Sequence, residues 1–189
     1  MSFYELLLFV HIIAAVSWVG AGFLLLVLGL KADRTNDEAG IQRILEDNAW
    51  LATRLFIPAS LTVFVAGVLL MIEGSLGFDQ LWIVLGLVGY FATFVTGIAV
   101  FKPRGDRIAE MIARDGGMTP VSLAEARQLL ALARIDYVVL FLVIADMVLK
   151  PTGDDVGLLI GMAAVFVVGL GFAISAAQAA GRPAREATA

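Results

Sequence analysis

His11 stands in FVHIIAAVSWVGAGF, residues 9–23, and is the only histidine among 189 residues. The run around it is long and apolar enough to cross a bilayer, so a side chain that titrates near neutral pH stands inside a membrane segment. Ala14, Ala15, Trp18, Ala21 and Gly22 follow on the same helical face. Small residues near a histidine leave room for another group, and tryptophan supplies a flat apolar wall. Two chemistries fit. A neutral imidazole nitrogen could ligate haem iron, or hydrogen-bond a quinone or porphyrin. Equally, the ring could make a helix–helix hydrogen bond, with the small residues serving close packing. An ionisable residue within a span is a functional hypothesis by default.

Four charged residues join His11 as candidates. Asp146 and Lys150, in RIDYVVLFLVIADMVLKP, are spaced i, i+4 with the acid N-terminal. That is the favourable order for an ion pair at a helix end, with Lys150 reaching outward. The sharper alternative places Asp146 or Lys150 in a site shared with His11, since both fall in the same outer half. Arg54 and Asp136 lie at matched depth near the opposite boundary. An unpaired charge there is costly, so they are expected either to pair or, for Arg54, to reach the headgroups.

Other chemistry is excluded. The chain has no cysteine, so disulfides, iron–sulfur clusters and thiolate zinc sites are ruled out. A net charge of −4 gives no basic surface for nucleic acid. No phosphate-cradling glycine loop, serine triad, zinc motif or voltage-sensor arginine series occurs.

The elements that must position these residues are membrane helices. Hydrophobic residues make up 60% of the chain and mean hydropathy is +0.93, against roughly 45–50% apolar in soluble domains. The excess falls into five spans, about 4–30, 50–72, 80–101, 128–150 and 156–178. The runs do not alternate as barrel strands do, so the expectation is an all-α bundle of five transmembrane helices. Residues 1–178 form its single domain, and 179–189 are expected to be a mobile cytoplasmic tail. The start MSFYELLLFV lacks the basic region of a cleavable signal, so the first run is read as retained.

Orientation follows from lysine and arginine. With five spans, twelve of the thirteen basic residues lie on one side, and only Lys150 lies on the other. The N-terminus is therefore expected outside and the C-terminus in the cytoplasm, in the inner cell membrane. On the basic side, Ile41, Ile44 and Leu45 lead helix 2 to the membrane, and Ile108, Met111 and Ile112 form an apolar face beyond span 3. Thr119 and Pro120 should open helix 4 as cap and first residue, and Pro151 should end it. Pro58 should kink helix 2. Gly86, Gly89, Thr93 and Gly97, and the pair Gly157 and Gly161, are small-residue faces for packing, in a homo-oligomer or a larger membrane complex.

The stretch LLLFVHIIAAVSWVGAGFLLLVL resembles the first helix of several bacterial membrane families. These are the copper-resistance D (CopD) family, the HemJ-type protoporphyrinogen oxidases, and a related "predicted integral membrane protein" family of unknown function. All share a leucine-rich start, His, an apolar spacer, then Trp and Gly. DMVLKPTG, residues 146–153, is similar to the end of a later helix in the unknown-function family. The resemblance implies a helical bundle and, through the HemJ-type branch, haem b or porphyrin with His11 as axial ligand to the haem iron. The further histidines of copper transport are missing, as is a second haem ligand.

Together these readings lead to a polytopic membrane protein. Its outer-half pocket, formed by His11, Trp18, Gly22, Asp146 and Lys150, would bind a hydrophobic cofactor or substrate, haem or porphyrin first. The alternatives are a non-catalytic subunit or assembly factor of a larger membrane complex, and a small-solute transporter.

Overall fold

The computed structural model describes residues 2–186, with side chains through Gln178. All its regular elements are helical. Helix α1 spans Phe3–Arg34. Ser2 caps it reciprocally: its hydroxyl accepts the Glu5 N–H, and the Glu5 carboxylate accepts the Ser2 N–H at 2.7 Å. Helices α2 (Glu38–Leu51) and α3 (Ile57–Glu73) form one rod, as do α4 (Leu81–Thr96) and α5 (Lys102–Asp115). Helix α6 spans Pro120–Leu149 and α7 spans Val156–Glu186. The expected tail, 179–189, lies outside the residues whose side chains are described.

Each two-part rod is joined through a π turn, Ala52–Phe56 in one and Gly97–Phe101 in the other. Each π turn closes on Phe-X-Pro: Phe56-Ile57-Pro58 and Phe101-Lys102-Pro103. Proline has no N–H, and its ring crowds the carbonyl four residues earlier. Widening the preceding turn relieves that crowding. The Ile57 N–H reaches back to the Ala52 carbonyl, and the Lys102 N–H to the Gly97 carbonyl. The sequence reading marked Pro58 as a kink and overlooked the same device at Pro103.

Helix α6 begins as its sequence dictates, with Thr119 as cap and Pro120 in the first turn. It ends at Lys150, which takes a left-handed backbone (φ 47°). Pro151 follows and is fully buried. Four helical rods are long and apolar enough to cross a membrane: Phe3–Arg34, Glu38–Glu73, Leu81–Asp115 and Val156–Gln178. Helix α6 is not among the four, and it carries Arg134, Asp136 and Asp146. Nevertheless it is the hub. It packs on α7, α4, α1 and α5, while α1 lies on α3.

Two layers hold the rods together. At the end rich in basic residues, Ala32, Ile41, Ile108, Ala126 and Leu129 form a buried cluster joined by Leu45, Met111 and Ile112. The apolar faces read around Ile41 and Ile108 are thus buried against each other. Arg127 ties α6 to the end of α1 there, its Nε donating to Asp33 at 2.6 Å. Deeper in the bundle is an aromatic layer centred on Tyr90. Its ring stacks on Phe64 of α3 at 5.3 Å and meets Trp18 of α1 edge-on at 5.9 Å. Its hydroxyl donates to the Ser60 carbonyl at 3.1 Å.

Candidate functional site

His11 lies on α1 about 12 Å from that helix's start, facing α3. Its Nδ1 is 2.9 Å from the Val63 carbonyl oxygen. A carbonyl oxygen can only accept, so Nδ1 carries the hydrogen. In the neutral ring the lone pair then sits on Nε2. Gly67, one turn beyond Val63, makes the approach feasible: a Cβ there would lie 3.2 Å from His11 Cε1. The packing half of the sequence reading is present in this geometry. The hydrogen bond is an interhelical tie, and it also fixes the tautomer that a metal-ligating histidine uses.

The other residues expected around His11 are placed less simply. Trp18 is in the aromatic layer, edge-on to Tyr90. Gly22 leaves no vacant volume. The Tyr137 hydroxyl of α6 occupies the space a Cβ would need, with Phe56 3.7 Å away. The small residue admits a tyrosine of the protein itself, so the room expected at Gly22 is filled.

Asp146 is buried, 1% exposed, and among the described residues neither carboxylate oxygen has a hydrogen-bond partner. It faces α4 at Gly86, where Oδ2 would lie 3.3 Å from an added Cβ. Among the described residues it forms no ion pair with Lys150. The left-handed turn at Lys150 carries that side chain across to α4, with Nζ 5.1 Å from the centre of the Trp82 ring. The Trp82 indole N–H donates to Gln80 Oε1 at 2.8 Å, which holds the ring. Beyond the helix end, the Thr152 N–H and hydroxyl both donate to Asp155 Oδ2 at 2.8 Å. Those bonds hold the Asp155 carboxyl below its usual range.

Arg54 and Asp136 are not joined among the described residues. The Arg54 guanidinium lies 4.7 Å over Trp50, one turn back on its own rod. A long, flexible arginine satisfies itself on an aromatic face near the interface more readily than it crosses the bundle. Asp136 is half-buried on α6. On the same helix the buried Nε of Arg134 has no hydrogen-bond partner among the described residues.

His11 and Asp146 are therefore held on different helix pairs, α1–α3 and α4–α6, with no hydrogen bond between them. Both lie on the Lys150 side of the aromatic layer. Three residues of this region escaped the sequence reading: Tyr90, Tyr137 and Gly67. Each left a signal. The two tyrosines are polar-tipped aromatics inside apolar runs, where a hydroxyl needs a partner. Gly67 is a lone glycine in VFVAGVLL, as close approach of a neighbour requires. The packing glycines divide. Gly86 and Gly89 receive Met147 and Val143 of α6. Gly97, Gly157 and Gly161 have nothing within 4 Å among the described residues.

No curated protein and no solved structure matches this chain. Residues 5–151 match the family described as "Predicted integral membrane protein (DUF2269)". The chain therefore belongs to that family, as a multi-pass integral membrane protein whose apolar helices contact lipid.

Proposed function

We propose that this protein spans the inner cell membrane five times and binds a hydrophobic ligand at His11, in the outer half of the bundle. Haem or porphyrin is the first candidate, in keeping with the resemblance to the HemJ-type and CopD families. The observation that carries this reading is the His11 hydrogen bond to Val63, which leaves Nε2 as the free nitrogen.

The donor chemistry fits iron: a neutral imidazole with its second nitrogen anchored. The bundle interior fits a macrocycle less well, because Tyr137 fills the space at Gly22 and Trp18 packs on Tyr90. A porphyrin held by His11 would therefore not occupy the space at Gly22 or Trp18. When bound, haem would supply redox or ligand-binding chemistry. His11 would hold it, and the Val63 carbonyl would orient His11. The accessory-subunit and solute-transporter alternatives have no comparable geometric support.

The test compares wild type with His11→Ala after expression with ample haem. Wild type is expected to carry a Soret band, or to bind added porphyrin, and His11→Ala to lose it. The variant should lose only about 1 kcal/mol of stability from the missing interhelical bond. A wild-type protein with neither chromophore nor porphyrin binding would rule out the haem form of this reading. A role as an accessory subunit of a larger membrane complex would then be the better one.

A further inference from the structure

Asp146 poses a problem that a ligand at His11 does not solve. A carboxylate 1% exposed among apolar helices, with no donor on either oxygen, is costly in its charged form. A cation of the right sign stands one turn away but is engaged elsewhere. Lys150 rests on Trp82, while Asp146 rests on Gly86. Trp82 and Gly86 are themselves one turn apart on α4. The two contacts are therefore stacked rungs between α4 and α6, with the lysine rung at the helix end and the acid rung just inside it.

We propose that Asp146 is a proton-binding site opening to the outer face, with Lys150 as the cation that receives its carboxylate when the proton leaves. As the neutral acid, Asp146 tolerates its apolar surroundings, and Lys150 stays on the Trp82 face. On release, the acid O–H passes its proton to water at the helix end. The Lys150 ammonium then leaves Trp82 by rotation of its long side chain and pairs with the carboxylate. The Trp82 ring, fixed by Gln80, returns as the resting place when the proton is rebound.

The neighbourhood holds few competitors. Helix α7 carries no ionisable side chain from Val156 to Gln178. On α4 the nearest is Tyr90, whose hydroxyl is committed to Ser60. The outer part of α1 offers Tyr4, Glu5 and His11, the last tied to Val63. Helix α3 ends in Glu73, and the connections contribute Asp79, Asp154 and Asp155, with Asp155 engaged by Thr152. Helix α5 packs at the opposite end of α6, within the cluster around Ile108. Lys150 is the one lysine or arginine at this end of the chain's five rods. The proposal is independent of whether His11 holds a ligand.

The test uses the full-length protein in mild detergent and N,N′-dicyclohexylcarbodiimide, an apolar reagent that adds to protonated carboxylic acids. Mass spectrometry then locates the adduct across a pH series. Asp146 is expected to be labelled in neutral buffer and to lose labelling as the buffer becomes alkaline. Asp146→Asn should lose the adduct while retaining its melting temperature. Lys150→Met should keep Asp146 labelled into more alkaline buffer, because the ionised form has lost its counter-charge. The proton site is overturned if Asp146 stays unlabelled in neutral buffer while other carboxyls react. It is overturned too if labelling is independent of pH, or if sodium ions protect Asp146 at constant pH and ionic strength. The role of Lys150 is overturned if Lys150→Met reproduces the wild-type profile.

Discussion

A single hydrogen bond decides what His11 can offer. Its donor nitrogen is spent on Val63, so any ligand meets Nε2. The neighbouring glycines show how tightly the rest is filled. Gly22 is the sharper case, since any Cβ there collides with the Tyr137 hydroxyl. Gly22→Ala is therefore expected to cost about 1–3 kcal/mol, the usual range for overpacking a close contact. Tyr137→Phe removes the colliding oxygen, so the double variant Gly22→Ala/Tyr137→Phe should recover most of the loss. Thermal unfolding in detergent measures both, and strictly additive effects would mean that the two sites do not touch. His11, its small-residue face and Asp146 were legible from type and spacing alone. Their partners were not. Which carbonyl His11 reaches, and whether Lys150 turns to Asp146 or to Trp82, depends on helix rotation and on one left-handed residue. Periodicity in one segment carries neither.

At the scale of elements, the chain places proline where a rod's bonding widens to a π turn and glycine where two rods must touch. Thr119-Pro120 at the start of α6 and Lys150-Pro151 at its end were readable because both signals are local. The π turns were only half readable. Pro58 announces a disturbance, but an i+5 bond and a simple kink leave the same mark in sequence. The structure supplies the distinction through the Ile57 N–H and the Ala52 carbonyl. Pro58→Ala restores an N–H and removes the ring that crowds the Arg54 carbonyl. It is expected to let the turn revert to α-helical bonding, a gain of about 1 kcal/mol from the recovered bond. Hydrogen exchange reads this directly: amides of residues 56–60 should exchange more slowly in the variant. Unchanged exchange there would mean that packing around Phe56 and Gly22, and not the proline, holds the π turn open.

For the whole molecule, charge and apolar length point in slightly different directions at α6. Its length matches that of the other rods, yet Arg134, Asp136 and Asp146 set it apart from the four clearly apolar ones. Its position resolves the tension. Helix α6 packs on four other helices, so much of its polar load faces protein, where charged groups in membrane helices belong. That placement among spanning rods is what supports the proposal that α6 crosses with them. A four-span arrangement without α6 would leave Lys150 with the other basic residues and carry Arg182 and Arg185 across the membrane. That would weaken an asymmetry of twelve basic residues against one to eleven against two. Reporter fusions at Gly40, Gly116 and the C-terminus are accordingly expected to report cytoplasm, and a fusion at Gly74 the outside. A C-terminal fusion that reports the outside, with Gly116 still cytoplasmic, would show that α6 or α7 does not cross. Were α6 the helix that fails to cross, Asp146 and Lys150 would lie on the cytoplasmic side and could exchange no proton with the outer face, so the proposed chemistry of α6 depends on its orientation.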